Sequence, residues 1–285
     1  MLRKILLTIT VFFISTGLKL HGQLPDGTRS TREYIQMIID NIDKEKEIGM
    51  DTVSLNFSAD YSVVVYVVYD ISGNSSVDEV DINYGFSQLN TYFKSIKVSF
   101  DIDTVIPVED YNYSYISSVN DINELTVKHS QPNSINIYLV KSIEIDSVPS
   151  YGFTFFPDET GKNFIFLDKN YIAGMYLTTL MGHYAGLLST HDTLGGAGWA
   201  NELNCDTAGD FICDTYADPN LYQLVDTDCK YGAVLTDPTG MFYVPSVANI
   251  MSESRDGCKC IFTPMQLRRM VFYLMNYRNY LSHDQ

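Results

Sequence analysis

The chain has 285 residues, 45% of them hydrophobic and 19% charged, and a net charge of −16. That length suffices for one large domain or two small ones around a sizeable core. The acidic excess repels phosphate backbones and anionic headgroups, which excludes nucleic acid as a partner, whereas calcium suits carboxylate and carbonyl oxygens.

Arg3 and Lys4 precede an apolar run from Ile5 to Leu18, followed by small residues. This is the pattern of a secretory signal peptide, with cleavage sites after Gly17 or Gly22. Cleavage at the second makes 1–22 the signal and Gln23 the mature terminus, and removal of Arg3, Lys4 and Lys19 leaves a charge near −19. The run is short for a membrane span, so no stable anchor is expected after cleavage, and the protein is expected to be secreted, periplasmic or extracellular. The first cysteine is Cys205, which excludes a lipid-modified cysteine near the cleavage point.

Residues 23–60 form an N-terminal segment. From Gly27 to Lys46 its pattern is helical and polar, with a loose stripe of Ile35, Met37, Ile38, Ile39 and Ile42, which reads as an N-terminal helix or a short pro-segment. A single domain over 61–285 follows. Tyr61 to Asp70 is a β-branched, aromatic run typical of a buried strand. Val80, Ile82, Phe86, Leu89, Tyr92 and Phe93 suit an amphipathic helix, Lys97 to Asp110 alternates like a half-buried strand, and Ile135 to Asp146 reads as another strand. Two short strands flank an Asp-Glu-Thr-Gly turn at 158–161. This order implies an α/β fold with a mixed sheet and helices packed on it.

The next helix has Leu177, Leu180, Met181, Tyr184 and Leu188 on its apolar face and ends near Gly186. Thr193 to Asp256 is rich in Gly, Asp, Asn and Pro and reads as loop. The last helix opens on Thr263, Pro264 and Gln266, a capping box with proline at the first position, and buries Leu267, Met270, Val271, Leu274 and Leu281. All five cysteines lie in this final third. In an exported chain they read as two disulfides drawn from Cys205, Cys213, Cys229 and Cys258, with Cys260 left over; spacing alone does not fix the pairing.

The run from Leu177 to Thr193 carries the chemistry. Set against the zinc-protease pattern HExxHxxGxxH, it keeps His183 and Gly186 but has Thr179 for the first histidine, Leu180 for the glutamate and Ser189 for the third ligand. Histidines four apart on a helix share a face and can reach one zinc, while the glutamate acts as general base on the bound water. Threonine is a poor zinc ligand, and leucine accepts no proton. His191 and Asp192 stand just beyond the lost third ligand as substitutes. A serine or cysteine nucleophile, from Ser189 beside His191 or from Cys213, lacks the elbow and the third member that orients a base.

Four separated stretches then agree in order: GHYAGL, NCDTAGDFICDTYADP from Asn204, ANIMSES from Ala248, and CIFTPMQLRRM from Cys260. Together they resemble the pappalysin-type (pregnancy-associated plasma protein-A) zinc metallopeptidases of the metzincin clan, most strongly from Ile135 to Met270. The resemblance implies a metzincin-like N-terminal subdomain (61–188) with a twisted sheet and an active-site helix, then a loop-rich, disulfide-stapled C-terminal subdomain (189–285) ending in a helix. A cleft runs between them. Met251 then looks like the Met-turn methionine, and Glu253 stands where relatives carry an oxyanion-assisting tyrosine. Calcium binding among relatives points to Glu202, Asp206, Asp210, Asp214 and Asp218, with Asp226 and Asp228 further along the same acidic loop; a solvated acidic loop is the simpler reading.

Ligands, base and oxyanion partner are thus lost together while the glycines, Met-turn and capping box remain. The expectation is a secreted pseudopeptidase, without zinc and with calcium as its candidate ion, whose cleft binds a peptide or protein. The rival readings are an active zinc endopeptidase with rearranged ligands and a structural extracellular module.

Overall fold

A computed structural model describes residues 24–48, 57–75, 77–157 and 162–282. Residues 1–22, read above as a signal peptide, and the Asp-Glu-Thr-Gly stretch lie outside the described residues. The first helix, α1 (Arg32–Glu47), is capped by Thr31, whose hydroxyl accepts the Tyr34 N–H, with Glu33 in the first turn and Lys44 and Lys46 in the last. The helical pattern from Gly27 therefore begins five residues too early. Residues 24–30 are extended, because Gly27 presses against strand backbone: a Cβ there would sit 2.9 Å from the Gly152 carbonyl oxygen. Ile35 and Ile38 are buried as expected, but Ile39 is 45% exposed and the inner face also carries Asn41 and Glu45.

The main sheet has five strands: β1 (Ala59–Val68), β2 (Val98–Val108), β4 (Ile135–Val140), β7 (Gly152–Thr154) and β8 (Phe164–Asp168). Their order is β2-β1-β4-β8-β7, with all neighbours parallel except β7, which runs antiparallel at the edge. Central β1 and β4 are buried along nearly their whole length, as their continuous Val, Ile and Tyr runs require. A small second sheet holds β3 (Tyr115–Ile116), β5 (Ser142–Ile145) and β6 (Val148–Ser150). The single strand read over Ile135 to Asp146 is thus two strands in two sheets. The change falls at Lys141 and Ser142, whose N–H groups both donate to the Ser114 carbonyl.

Helix α2 (Glu79–Phe93) covers one face of the sheet with Ile82, Phe86, Leu89 and Phe93. Val80, assigned to that stripe, is 73% exposed, because two residues from Ile82 is more than half a turn away. Helix α3 (Val119–Lys128) opens on a capping box at Ser118 and Asp121. Helix α4 (Tyr176–Tyr184) carries Thr179, Leu180 and His183 and is buried from Leu177 onward. It lies under β7, where Leu180 fills the space beside Gly152: a Cβ on that glycine would be 2.6 Å from the leucine methyl.

From Ala185 to Arg255 the chain has no helix or strand, only isolated bridges. Disulfides Cys205–Cys213 and Cys229–Cys258 staple it, and Cys260 is free and exposed. The final helix, α5 (Pro264–Tyr277), starts with the expected capping box of Thr263 and Gln266. Leu267 is only partly buried, and Leu281 is buried from a short 3-10 turn after the helix has ended.

The N-terminal segment is built into this body. Tyr34 donates to the Gly186 carbonyl and stacks on Phe156 at 4.3 Å. Glu45 of α1 and Arg269 of α5 form a buried ion pair at 2.9 Å, and the other guanidinium nitrogens donate to the Asp210 and Phe211 carbonyls.

Candidate functional site

Helix α4 ends by turning at Gly186, whose φ of 99° suits glycine and whose missing Cβ leaves room for the Tyr273 ring. Met251 lies directly under the helix, its sulfur 2.5 Å from where a Cβ on Gly182 would be. It is fully buried, and its carbonyl accepts the Thr190 N–H.

At the motif positions, the Thr179 hydroxyl donates to the Ile250 carbonyl at 3.0 Å and in turn accepts from the Lys259 ammonium at 3.5 Å. Leu180 packs in the core beneath β7. His183 is 1% exposed, with Nδ1 on the Leu187 carbonyl at 2.7 Å and Nε2 3.2 Å from the Asp26 carboxylate. Ser189 is half-buried and uses its carbonyl to accept the Asp192 N–H.

Asp26 comes from the N-terminal segment, which runs along the β7 edge. The Tyr151 N–H donates to the Pro25 carbonyl, the Gly27 N–H to the Gly152 carbonyl and the Thr154 N–H to the Thr28 hydroxyl, so the segment runs in the same direction as β7. Asp26 also accepts from the Tyr151 hydroxyl at 2.6 Å and the Thr28 N–H, and its own N–H donates to Glu253 at 2.9 Å. Burial alone raises the Asp26 carboxyl, but the His183 charge and these donors overcome it and lower it to about 2. The Glu253 carboxyl is raised by burial, against the Lys259 charge that pulls it down.

His191 is brought to this chamber. Burial pushes it down to about 4, in the fields of Asp26, His183 and Lys259, and its Nδ1 is buried without a hydrogen-bond partner. Asp192 is not: its carboxylate accepts from the Ser30 hydroxyl and the Leu194 N–H. Among the described residues no group of three or more His, Cys, Asp or Glu side chains is arranged to hold a metal ion.

The acidic loop residues are mostly spent on local structure. Asp214 caps α5 through Thr263 and Met265, Asp218 accepts from Thr190 and Asn220, and Asp206 is exposed. Glu202 accepts the Ala217 N–H, and Asp210 accepts from Ile212 and Thr215. Only Glu202 and Asp210 of these five line one small cavity, of about 10 Å³, and Asp210 Oδ2 is buried without a hydrogen-bond partner.

Beside the cleft entrance, α1 and the end of β7 enclose an open groove of about 860 Å³. Its walls include Arg29, Arg32, Lys44 and Lys162 over a floor of Phe155 and Phe156. Sequence reasoning missed Asp26, Tyr151 and Lys259. Nothing in the local pattern marks them, because their roles arise from contacts across 80 to 227 positions of chain.

No family model matches the chain, and no curated protein sequence matches it. Solved structures do. Promirolysin from Tannerella forsythia, determined as a mutant, is 15% identical, with 88% of this chain and 91% of that one covered at a TM-score of 0.57. Mirolysin in complex with a compound designated 9 is 17% identical, with 79% and 96% covered at the same TM-score of 0.57. At such identities the likeness is one of fold, and the chain therefore has a metzincin-like metallopeptidase fold.

Proposed function

We propose that the chain is an exported pappalysin-type pseudopeptidase, in which the cleft of a zinc endopeptidase is kept as a peptide-binding groove and the catalytic machinery is gone. The observation that carries this reading is the Asp26–His183 contact, in which Nε2 of the one retained histidine stands 3.2 Å from a carboxylate of the chain itself. The donor set does not fit zinc: Thr179 offers a hydroxyl already bonded to Ile250, Leu180 offers no base and Ser189 no imidazole. His191 is near enough to suggest rearranged ligands, but Asp192 faces Ser30, and a third donor is missing.

Residues 25–28 display the way in which an extended segment adds to the β7 edge. With the metal end of the cleft filled in this way, a partner peptide engages the neighbouring cationic, aromatic groove, whose charge opposes that of the acidic chain as a whole. Two disulfides support an oxidising compartment, and no described helix is long and apolar enough to cross a membrane. Calcium, if it belongs to the acidic loop, is held by Glu202 and Asp210, the pair that shares a cavity.

The test is incubation of the purified chain with peptide libraries, with and without added zinc. The proposal expects no cleavage under either condition; chelator-sensitive cleavage overturns it.

A further inference from the structure

The groove beside α1 gathers positive charge on an acidic chain. Four of the 19 basic residues line it, Arg29, Arg32, Lys44 and Lys162, although the net charge is −16. All four are exposed, and among the described residues none of them enters an ion pair. Glu33 and Asp40 share the same walls, so four cations less two carboxylates leave a local excess of two positive charges. Like charges held together on one surface repel one another, and the cluster weakens the fold unless an anion answers it.

The groove is also built to keep its shape. Arg278, wholly buried just after α5, donates to the Phe155, Phe156 and Lys162 carbonyls and to the Asn163 side chain at 3.0 to 3.2 Å, and its guanidinium lies 4.0 Å over the Tyr184 ring. One side chain thus holds the end of β7 to the start of β8 and fixes the floor rings beside the stem of Lys162. The cations are positioned in turn. The Lys162 ammonium stands 4.7 Å over the Phe155 ring, and the Arg29 guanidinium donates to the Asp26 carbonyl at 2.9 Å. The Lys44 ammonium donates to the Asn41 side chain at 3.0 Å, which itself bonds to the Tyr277 hydroxyl at 3.1 Å. An ammonium and a guanidinium each carry more donors than these contacts use. A preformed cleft of this kind, about 860 Å³ in volume, orders little of itself when a ligand enters.

We propose that this groove receives an acidic peptide segment, with carboxylates answered by Arg32, Lys44 and Lys162 and an apolar side chain resting on the half-buried rings of Phe155 and Tyr277. The inference rests on the pseudopeptidase reading and adds to it the chemistry of the partner. A dense polyanion fits less well, because Glu33 and Asp40 interrupt the cations and the field of the whole chain repels it. A peptide carries fewer carboxylates, spaced by apolar side chains, which matches cations set around aromatic rings.

The test titrates residues 23–285 into fluorescein-labelled peptides in which glutamate alternates with phenylalanine and leucine, read by anisotropy. The glutamate peptide should bind about tenfold more tightly than its glutamine counterpart, and the gap should narrow as salt rises. Arg32→Gln combined with Lys162→Gln should remove about that factor. Should this variant fail to fold, Lys44→Gln is read in the same way. Equal affinity for the two peptides, affinity unchanged in the variant, or tighter binding of a heparin fragment overturns the proposal. Self-association of the parent that the variant abolishes also overturns it, because the occupant is then a second copy of the chain. Cleavage of the peptide in added zinc sinks the pseudopeptidase reading beneath, whereas an uncut peptide bound without preference for acid sinks only the chemistry assigned to the partner.

Discussion

Replacing Glu45 with alanine tests whether the N-terminal helix is an integral part of the fold or a removable pro-segment. The pair it forms with Arg269 is 2.9 Å long, and its side chains are 5% and 2% exposed. Deleting one partner of such a pair strands a buried guanidinium. The bonds from Arg269 to the Asp210 and Phe211 carbonyls, at 2.6 and 2.8 Å, hold it in place and keep it from swinging into water. The expected loss is about 3–5 kcal/mol. With a urea m-value of about 2–3 kcal/mol/M, the unfolding midpoint should fall by roughly 1–2 M. Glu47→Ala, at an exposed position on the same helix, should change stability by no more than about 0.5 kcal/mol. A loss below about 1 kcal/mol for Glu45→Ala would refute the reasoning, because α1 would then contribute little to the domain.

Disulfide loss should scale with the loop closed: about 2.5 kcal/mol for Cys205–Cys213, which spans 8 positions, and about 3.6 kcal/mol for Cys229–Cys258, which spans 29, measured by unfolding of paired Cys→Ser variants. Burial raises the folded Asp210 carboxyl to about 7, so the folded state binds a proton that the unfolded state binds only near 4. In calcium-free buffer, the stability of the parent minus that of Asp210→Asn should therefore fall as pH rises from about 4 to about 7; a flat difference would contradict the burial argument. Calcium at millimolar concentration should raise the melting temperature of the parent and not that of Asp210→Asn, and equal shifts would place the ion elsewhere.

The elements with strong local signals were legible in the sequence. The capping box at Thr263, the apolar face of α4, the buried run of β1 and the four paired cysteines each stand where their residue pattern puts them. The misses came where tertiary contact overrides pattern. Residues 27–31 look helical but lie outside the helix because Gly27 packs against Gly152, and the break at Lys141 depends on a distant carbonyl, that of Ser114 just before β3. At the site, the positions of Thr179, Leu180 and His183 on one helix, and of Ser189 just beyond it, could be read from spacing. What faces them could not: Asp26, Tyr151 and Lys259 arrive from three distant segments, and a lone aspartate after a proline or a lysine between two cysteines carries no periodicity to detect.

The central claim is that this metzincin-like fold no longer holds the metal its cleft was shaped around. Residues 23–285, produced in an oxidising compartment, dialysed against zinc and then freed of excess metal, should contain well under one-tenth of an equivalent of zinc by elemental analysis. Retention of about one equivalent, removable by chelator, would show that His183 coordinates a metal in spite of Asp26 and would contradict the account.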